Sequence, residues 1–211
     1  MDSARPLLFG SRGREVSLLR RSVDVGVVLL ATPIMLPVIL ALVAVVKLDS
    51  PGPAFYRNAR LGAGGRRFGM WKLRTMVVDA EARKEELMHL NTLSWPDFKL
   101  ERDPRITRVG RVLRSTSLDE LPQLWHVLVG DMTLVGPRAS FVNVANYRLW
   151  QTERLEYRPG LFGSWQAMGR GTAGFDDRCR MDIRDRRSQS LRGDVALAID
   201  TILAVLRRTG R

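Results

Sequence analysis

With 211 residues, a formal net charge of +12 and a sequence pI of about 11.1, the chain can build one full core or two small units and is suited to a polyanionic partner. Nucleic acid, anionic lipid headgroups and phosphorylated small molecules all qualify on charge alone. Cys179 is the only cysteine, which excludes an intrachain disulfide and a cysteine-rich metal centre, and His89 and His126 are too few for a zinc site.

After a polar stretch over residues 1–18, the segment from Val25 to Val46, "VGVVLLATPIMLPVILALVAVV", carries no charge over 22 positions. As a helix it would be about 33 Å long, enough to cross the apolar core of a bilayer. Pro33 and Pro37 sit at its middle and leave the carbonyls of Leu29 and Pro33 without helical donors, which predicts a break into two apolar half-helices. The Thr32 hydroxyl is placed to cap an exposed carbonyl there. Basic residues flank both ends, Arg20 and Arg21 before it and Lys47, Arg57, Arg60, Arg66 and Arg67 after it. Because basic flanks prefer the cytoplasmic side, this pattern predicts a re-entrant, membrane-dipping segment rather than a spanning one.

Pro51, Gly52 and Pro53 force a turn, and "RNARLGAGGRRFGMWKLRTM" reads as a short hairpin about Gly64-Gly65. Asp79 to Leu90, "DAEARKEELMHL", reads as a polar helix. Arg105, Arg108, Arg111 and Arg114 then recur every third residue, a basic stripe that is either a solvated face or a phosphate cradle. Asp119 and Glu120 follow within "RSTSLDELPQLW". Ser117 and Glu120 match the S-x-x-E capping box, so on this stretch alone the helix-start reading is the favoured one. Near the C-terminus Val195, Ile199, Ile202 and Leu206 fall on one helical face, suited either to a membrane interface or to capping the core. Trp125, Trp150 and Trp165 are candidates for anchors at headgroup depth.

These elements predict an α+β fold, mostly helical. Its parts are a polar segment over 1–18, a proline-kinked membrane-dipping helix over 19–48, and a small catalytic domain over 49–211 with a hairpin and interfacial amphipathic helices.

In their order, "LDSPGPAFYRNARLG", "FGMWKLRTM", "DPRITRVGRVLRSTSLDELPQLWHVLVGDMTLVGPR" and "YRPGLFGSWQAMGR" resemble the bacterial sugar transferase family, the monotopic phosphoglycosyl transferases, from about Leu19 to Ile202. The resemblance implies transfer of a sugar-1-phosphate from a UDP-sugar to polyprenol (undecaprenyl) phosphate. UMP would be released and Mg²⁺ required, at the start of exopolysaccharide, O-antigen or glycoconjugate assembly. It implies Asp119 as nucleophile and metal ligand and Glu120 as its partner, with Lys72, Arg74, Arg114, Arg138 and Arg170 as substrate- or phosphate-binding residues. It further implies membrane lipids as a partner, a catalytic domain on the cytoplasmic face of the bacterial inner membrane, and compatibility with a homodimer. Larger members carry an N-terminal multi-pass region, so the chain reads as a compact catalytic unit or part of a larger one.

The sequence departs from the family pattern at His126 (usually Asn), at Ala139 after "GPR" (usually Pro) and at Asn58 (commonly Gln). It also lacks an aromatic pair between Ile183 and Asp194. These departures bear on the choice of sugar and the seating of the acceptor, not on the reaction class. A membrane-tethered nucleic-acid binder would use the same charge but shows no binding motif and leaves the acidic pair unexplained. An inactive scaffold is disfavoured because the expected acidic and basic positions are all present.

Overall fold

The computed structural model describes residues 16–93, 96–167 and 174–207. Helix α1 (Leu18–Asp49) runs for 32 residues, about 48 Å at the usual rise, with Pro33 and Pro37 inside it. The expected break into two separate half-helices does not occur: one helix contains both prolines. The Thr32 hydroxyl donates to the carbonyl of Val28 at 2.8 Å, one residue before the carbonyl that Pro33 leaves unpaired. Such a back-bond loosens the turn where the prolines fall.

The two ends of α1 are fastened to the same body. At its start, Arg21 donates to the carbonyls of Val127 and Leu128, and the buried Asp24 accepts from the Thr133 hydroxyl and, at 3.1 Å, from the Leu134 amide. At its finish, Asp49 accepts from the Val109 amide at 3.2 Å and so satisfies an otherwise orphan donor in the first turn of α2 (Arg108–Thr116). Val28 belongs to one core cluster, with Met70, Val127, Met132 and Ala139. Val46 belongs to another, with Ala54, Leu73 and Leu113. Between these attachments Leu29, Leu30, Ile34, Leu36 and Leu40 are exposed, and Leu30 is 81% so. An apolar run this bare is foreign to a surface facing water.

The hairpin forms as expected. Strand β1 (Phe55–Leu61) pairs antiparallel with β2 (Arg67–Leu73), with Asn58 opposite Met70 and Tyr56 opposite Lys72. Asp79 to Leu90 does not form the expected polar helix. It is a chain of turns and two short 3₁₀ segments, Ala82–Lys84 and Met88–Leu90, closed mainly by i→i+3 bonds. Ala80 is its one buried residue, and Met88 and Leu90 are each 51% exposed. With no apolar face to press against the core, the segment lacks the tertiary support that stabilises most short helices.

Helix α2 ends at Ser117, which adopts a left-handed conformation (φ 56°) and turns the chain into a 3₁₀ segment, Leu118–Gln123. This leads into α3 (Leu124–Val129). Strand β3 (Thr133–Val135) pairs in parallel with β4 (Gly160–Phe162), and the helices α4 (Ser164–Ala167), α5 (Phe175–Arg187) and α6 (Leu191–Leu206) complete the domain. The face of α6 carrying Val195, Ile199 and Ile202 is exposed rather than capping the core. Together with Val23 and Val27 of α1 it lines an apolar groove. Arg20 holds the two helices together through Asp194 at 2.8 Å.

Candidate active site

Four elements converge on Asp119 and Glu120. The 3₁₀ segment holds both carboxylates side by side, and β2 presents Lys72 to them. The Lys72 ammonium lies 2.7 Å from Glu120 Oε1 and 3.8 Å from Asp119 Oδ2. The turn after β3 supplies Arg138, whose guanidinium grips both oxygens of Glu120. Helix α2 supplies Arg114, which donates from Nε to the Thr75 hydroxyl at 2.9 Å.

Two close backbone approaches bring these elements together. A methyl at Gly160 would lie 2.0 Å from the amide nitrogen of Gly136, so "GPR" and "YRPG" can cross, and Arg138 be placed, only without a side chain there. A methyl at Gly110 would lie 2.1 Å from the carbonyl oxygen of Thr75, so α2 too sits directly on backbone. The imidazole of His126 accepts from the Trp71 amide at 3.1 Å and contacts Asp131 at 3.0 Å. This fastens β2 one residue before Lys72, so the histidine takes a structural place beside the site.

The capping-box reading of Ser117 and Glu120 does not hold. The Ser117 side chain does not cap the 3₁₀ turn, and the Glu120 carboxylate is committed to Lys72 and Arg138. Nor is the arginine stripe a cradle. Arg105 is buried on Asp103 and the carbonyl of Ala80, Arg108 and Arg111 are exposed, and Arg114, bonded to Thr75, is the one of the four whose charge acts on Asp119. Arg74 does not join the group either: it is buried and bonded to the Ser50 hydroxyl and the carbonyls of Ser50 and Pro53. Its place is to lock the turn after α1. Arg170 lies outside the described residues.

The two carboxylates have opposite proton affinities. Burial raises the pKa of Asp119 above its ordinary value and neighbouring Glu120 adds to this, against the opposing pull of Lys72, Arg114 and Arg138. Burial acts the same way on Glu120, but Arg138 and Lys72 outweigh it and hold this carboxyl well below the usual range. A proton shared by the pair therefore resides on Asp119, and Glu120 stays ionised. Groups pushed apart in this way are characteristic of sites that divide chemical roles between two like residues. Among the described residues no cluster of three or more His, Cys, Asp or Glu side chains could form an all-protein metal cage.

A buried Asp-Glu pair held by lysine and arginine thus lies beside a long helix with an exposed apolar middle, and comparison with known proteins gives this chain its family. The family model for bacterial sugar transferases matches residues 15–208, and the chain belongs to that family. It is 42% identical over 161 residues to the galactosyl transferase CpsE of Streptococcus agalactiae, covering 75% of this chain and 36% of that protein. Identity to the undecaprenyl-phosphate galactose phosphotransferase of Salmonella typhimurium is 38% over 205 residues, 93% of this chain and 42% of the other. The exopolysaccharide production protein ExoY of Rhizobium meliloti is 36% identical over 198 residues, 90% of this chain and 87% of its own length. The chain thus spans about two fifths of the first two relatives and most of the third.

Proposed function

We propose that the protein is a phosphoglycosyl transferase that moves a sugar-1-phosphate from a UDP-sugar to undecaprenyl phosphate through a covalent intermediate on Asp119. The observation that carries this reading is the buried Asp119-Glu120 pair, one member fixed as an anion by Lys72 and Arg138 and the other left to change state. Asp119 Oδ attacks the sugar-bearing phosphorus, and the bond from that phosphorus to the bridging oxygen breaks. UMP departs with the electron pair. An oxygen of the acceptor phosphate then attacks the same phosphorus, and the Asp119–phosphorus bond breaks to return the carboxylate. Splitting one displacement into two in this way is the general advantage of a covalent nucleophile. Glu120 holds Lys72 and Arg138 where charge gathers on the phosphoryl oxygens, and Arg114 adds a third cation to the same side.

Magnesium commonly binds through one or two carboxylates and otherwise through water and substrate phosphates. Asp119 suits such partial ligation, since both oxygens of Glu120 are occupied. Bound there, the ion would neutralise diphosphate charge. An apolar cavity of about 450 Å³ between the middle of α1 and the hairpin is lined by Leu36, Ile39, Trp71, Leu121, Pro122 and Trp125. It begins at the residue after Glu120 and suits the isoprenoid chain of the acceptor. The protein accordingly works from the cytoplasmic face of the inner membrane, with α1 dipping into one leaflet. Initiation of exopolysaccharide or related glycoconjugate assembly is the fitting role, since two relatives are named as exopolysaccharide production proteins.

The test is UMP release over a panel of UDP-sugars with undecaprenyl phosphate and Mg²⁺, repeated without the acceptor. A stoichiometric burst of UMP from enzyme and UDP-sugar alone, or exchange of labelled UMP into UDP-sugar, is expected. Release only when acceptor is present would replace the covalent route with direct transfer. No release from any UDP-sugar would end the proposal.

A further inference from the structure

Beside the acidic pair lies a second, polar cavity of about 150 Å³, lined by Arg60, Arg138, Phe141, Arg154, Trp165 and Arg178 among others. Three of its four guanidinium groups are neutralised: Arg138 by Glu120, Arg154 by Asp182 and Arg178 by Asp97. Arg60 has no carboxylate partner among the described residues. Its one hydrogen bond among the described residues, to the Ala139 carbonyl, is long at 3.4 Å, and its guanidinium lies 5.1 Å from the centre of the Phe141 ring. Its Nε is buried without an acceptor, and so is the indole Nε1 of Trp165. Burial, then the nearby charge of Arg138, lowers the pKa of Arg60 to about 10.

Buried donors left without acceptors are rare and costly, and each one in a folded protein calls for a partner. Here three, the Nε of Arg60 and of Arg178 and the Nε1 of Trp165, belong to residues that line one cavity, whose walls set four guanidinium groups against the carboxylates of Asp97 and Asp182, and the partner they fit is a small anion rich in oxygen. The volume is well below the few hundred cubic ångströms of a site for a whole small-molecule ligand, but it is of the right order for a phosphoryl group. Arg138 belongs both to this cavity and to Glu120, so the anion would sit next to the reacting phosphorus. Two phosphates reach such a site, one from the nucleotide and one from the lipid acceptor. The apolar cavity under α1 shares no lining residue with this one, which gives the two substrates separate approaches.

We propose, resting on the transferase reading above, that Arg60 and Trp165 bind the nucleotide-side phosphate of the donor, the group that departs as UMP. Neither residue reacts: Arg60 supplies charge and the indole N–H a directional donor, both on the leaving-group side of the phosphorus.

The test measures UMP binding to the full chain in lipid nanodiscs by calorimetry, without acceptor. Arg60→Gln should weaken UMP binding about tenfold to a hundredfold, the size expected for one charge-assisted contact. Arg60→Lys should recover part of the loss. Trp165→Phe keeps an aromatic ring beneath Arg138 and Arg178 but removes the donor together with the five-membered ring, and it should weaken UMP about threefold to tenfold. The KM for undecaprenyl phosphate should move less than twofold in all three. UMP affinity within twofold of the unaltered chain in both Arg60→Gln and Trp165→Phe would overturn the assignment. So would a selective rise in the KM for the lipid, which would give the cavity to the acceptor. Failure of the unaltered chain to bind or release UMP would instead bring down the transferase reading itself, and the two failures are thereby told apart.

Discussion

At the scale of single residues, the acidic pair opposes stability to function. An acid whose folded pKa lies above its unfolded value costs stability once pH exceeds the folded value, and this is the position of Asp119. Glu120 is the reverse case: its stabilising contribution is present above the ordinary glutamate pKa and is lost as pH falls through its depressed folded value. Asp119→Asn should therefore leave the melting temperature at neutral pH equal or raised while turnover falls by roughly 10⁴-fold, the loss common when a covalent catalyst is removed. Calorimetry and UMP release on the same sample check both halves, and near-normal turnover would remove Asp119 from the role of nucleophile. A second expectation concerns pH. The attacking form of Asp119 is the carboxylate, so UMP exchange should rise with pH through an inflection above the ordinary aspartate range. Lys72 favours that ionised form. Lys72→Gln should accordingly move the inflection to higher pH as well as lower the plateau, and an acid limb in the same place would show that Lys72 does not govern Asp119.

At the scale of elements, local pattern was informative where it agreed with packing and misleading where it did not. The hairpin about Gly64-Gly65 is legible because alternation and turn residues are local signals, whereas the acidic pair stands out only through the family resemblance that the run "SLDELP" carries. Asp79–Leu90 reads as a polar helix yet forms none, because a polar helix-forming composition says nothing about whether a core face exists to receive it. The S-x-x-E box failed because Lys72 and Arg138, 48 and 18 residues away, compete for the same carboxylate with full charges. Arg60 and Trp165 carry no sequence signal for a phosphate site: Arg60 reads as part of the basic flank and Trp165 as a headgroup anchor, and Arg60 becomes conspicuous only once its neighbours in the fold prove to be paired. Tertiary contact also accounts for Gly110, a residue ordinarily unfavourable inside a helix. A side chain there must push α2 off the Thr75 carbonyl. Gly110→Ala should thus cost about 1–3 kcal/mol, as overpacking commonly does, despite the better helix propensity of alanine. It should also lower UMP exchange, because Arg114 leaves with the helix. A stabilised variant with normal exchange would show that the close approach is dispensable.

At the scale of the whole molecule, the arrangement of α1 restricts how the protein can meet a bilayer. A helix that crossed from one side to the other would carry its ends to opposite faces, yet Arg21 and Asp24 at one end and Asp49 at the other are bonded to a single domain. Its exposed apolar middle, the apolar groove shared with α6 and the exposed Trp125 all remain for lipid to cover. Dipping into one leaflet would satisfy both demands, and Pro33 and Pro37, which remove two helical hydrogen bonds near the middle of α1, are where the helix would bend to do so. Replacing both prolines with Ala restores the bonds and yields a straight apolar helix long enough to span. The Arg21, Asp24 and Asp49 attachments and the basic flank at Arg20 and Arg21 resist this, so a mixture is expected rather than complete conversion. Single cysteines at Ser11 and Arg66, in a Cys179→Ser background, report the outcome in intact cells. With the prolines in place both sites should stay unlabelled by an impermeant reagent and react once the membrane is opened. With the double alanine change a fraction of the Ser11 site should become labelled from outside while Arg66 stays protected, and UMP exchange should fall in proportion to that fraction. Outside labelling of Ser11 in the unaltered chain would mean that α1 spans, and that the attachments of its two ends to one domain are not kept in the membrane.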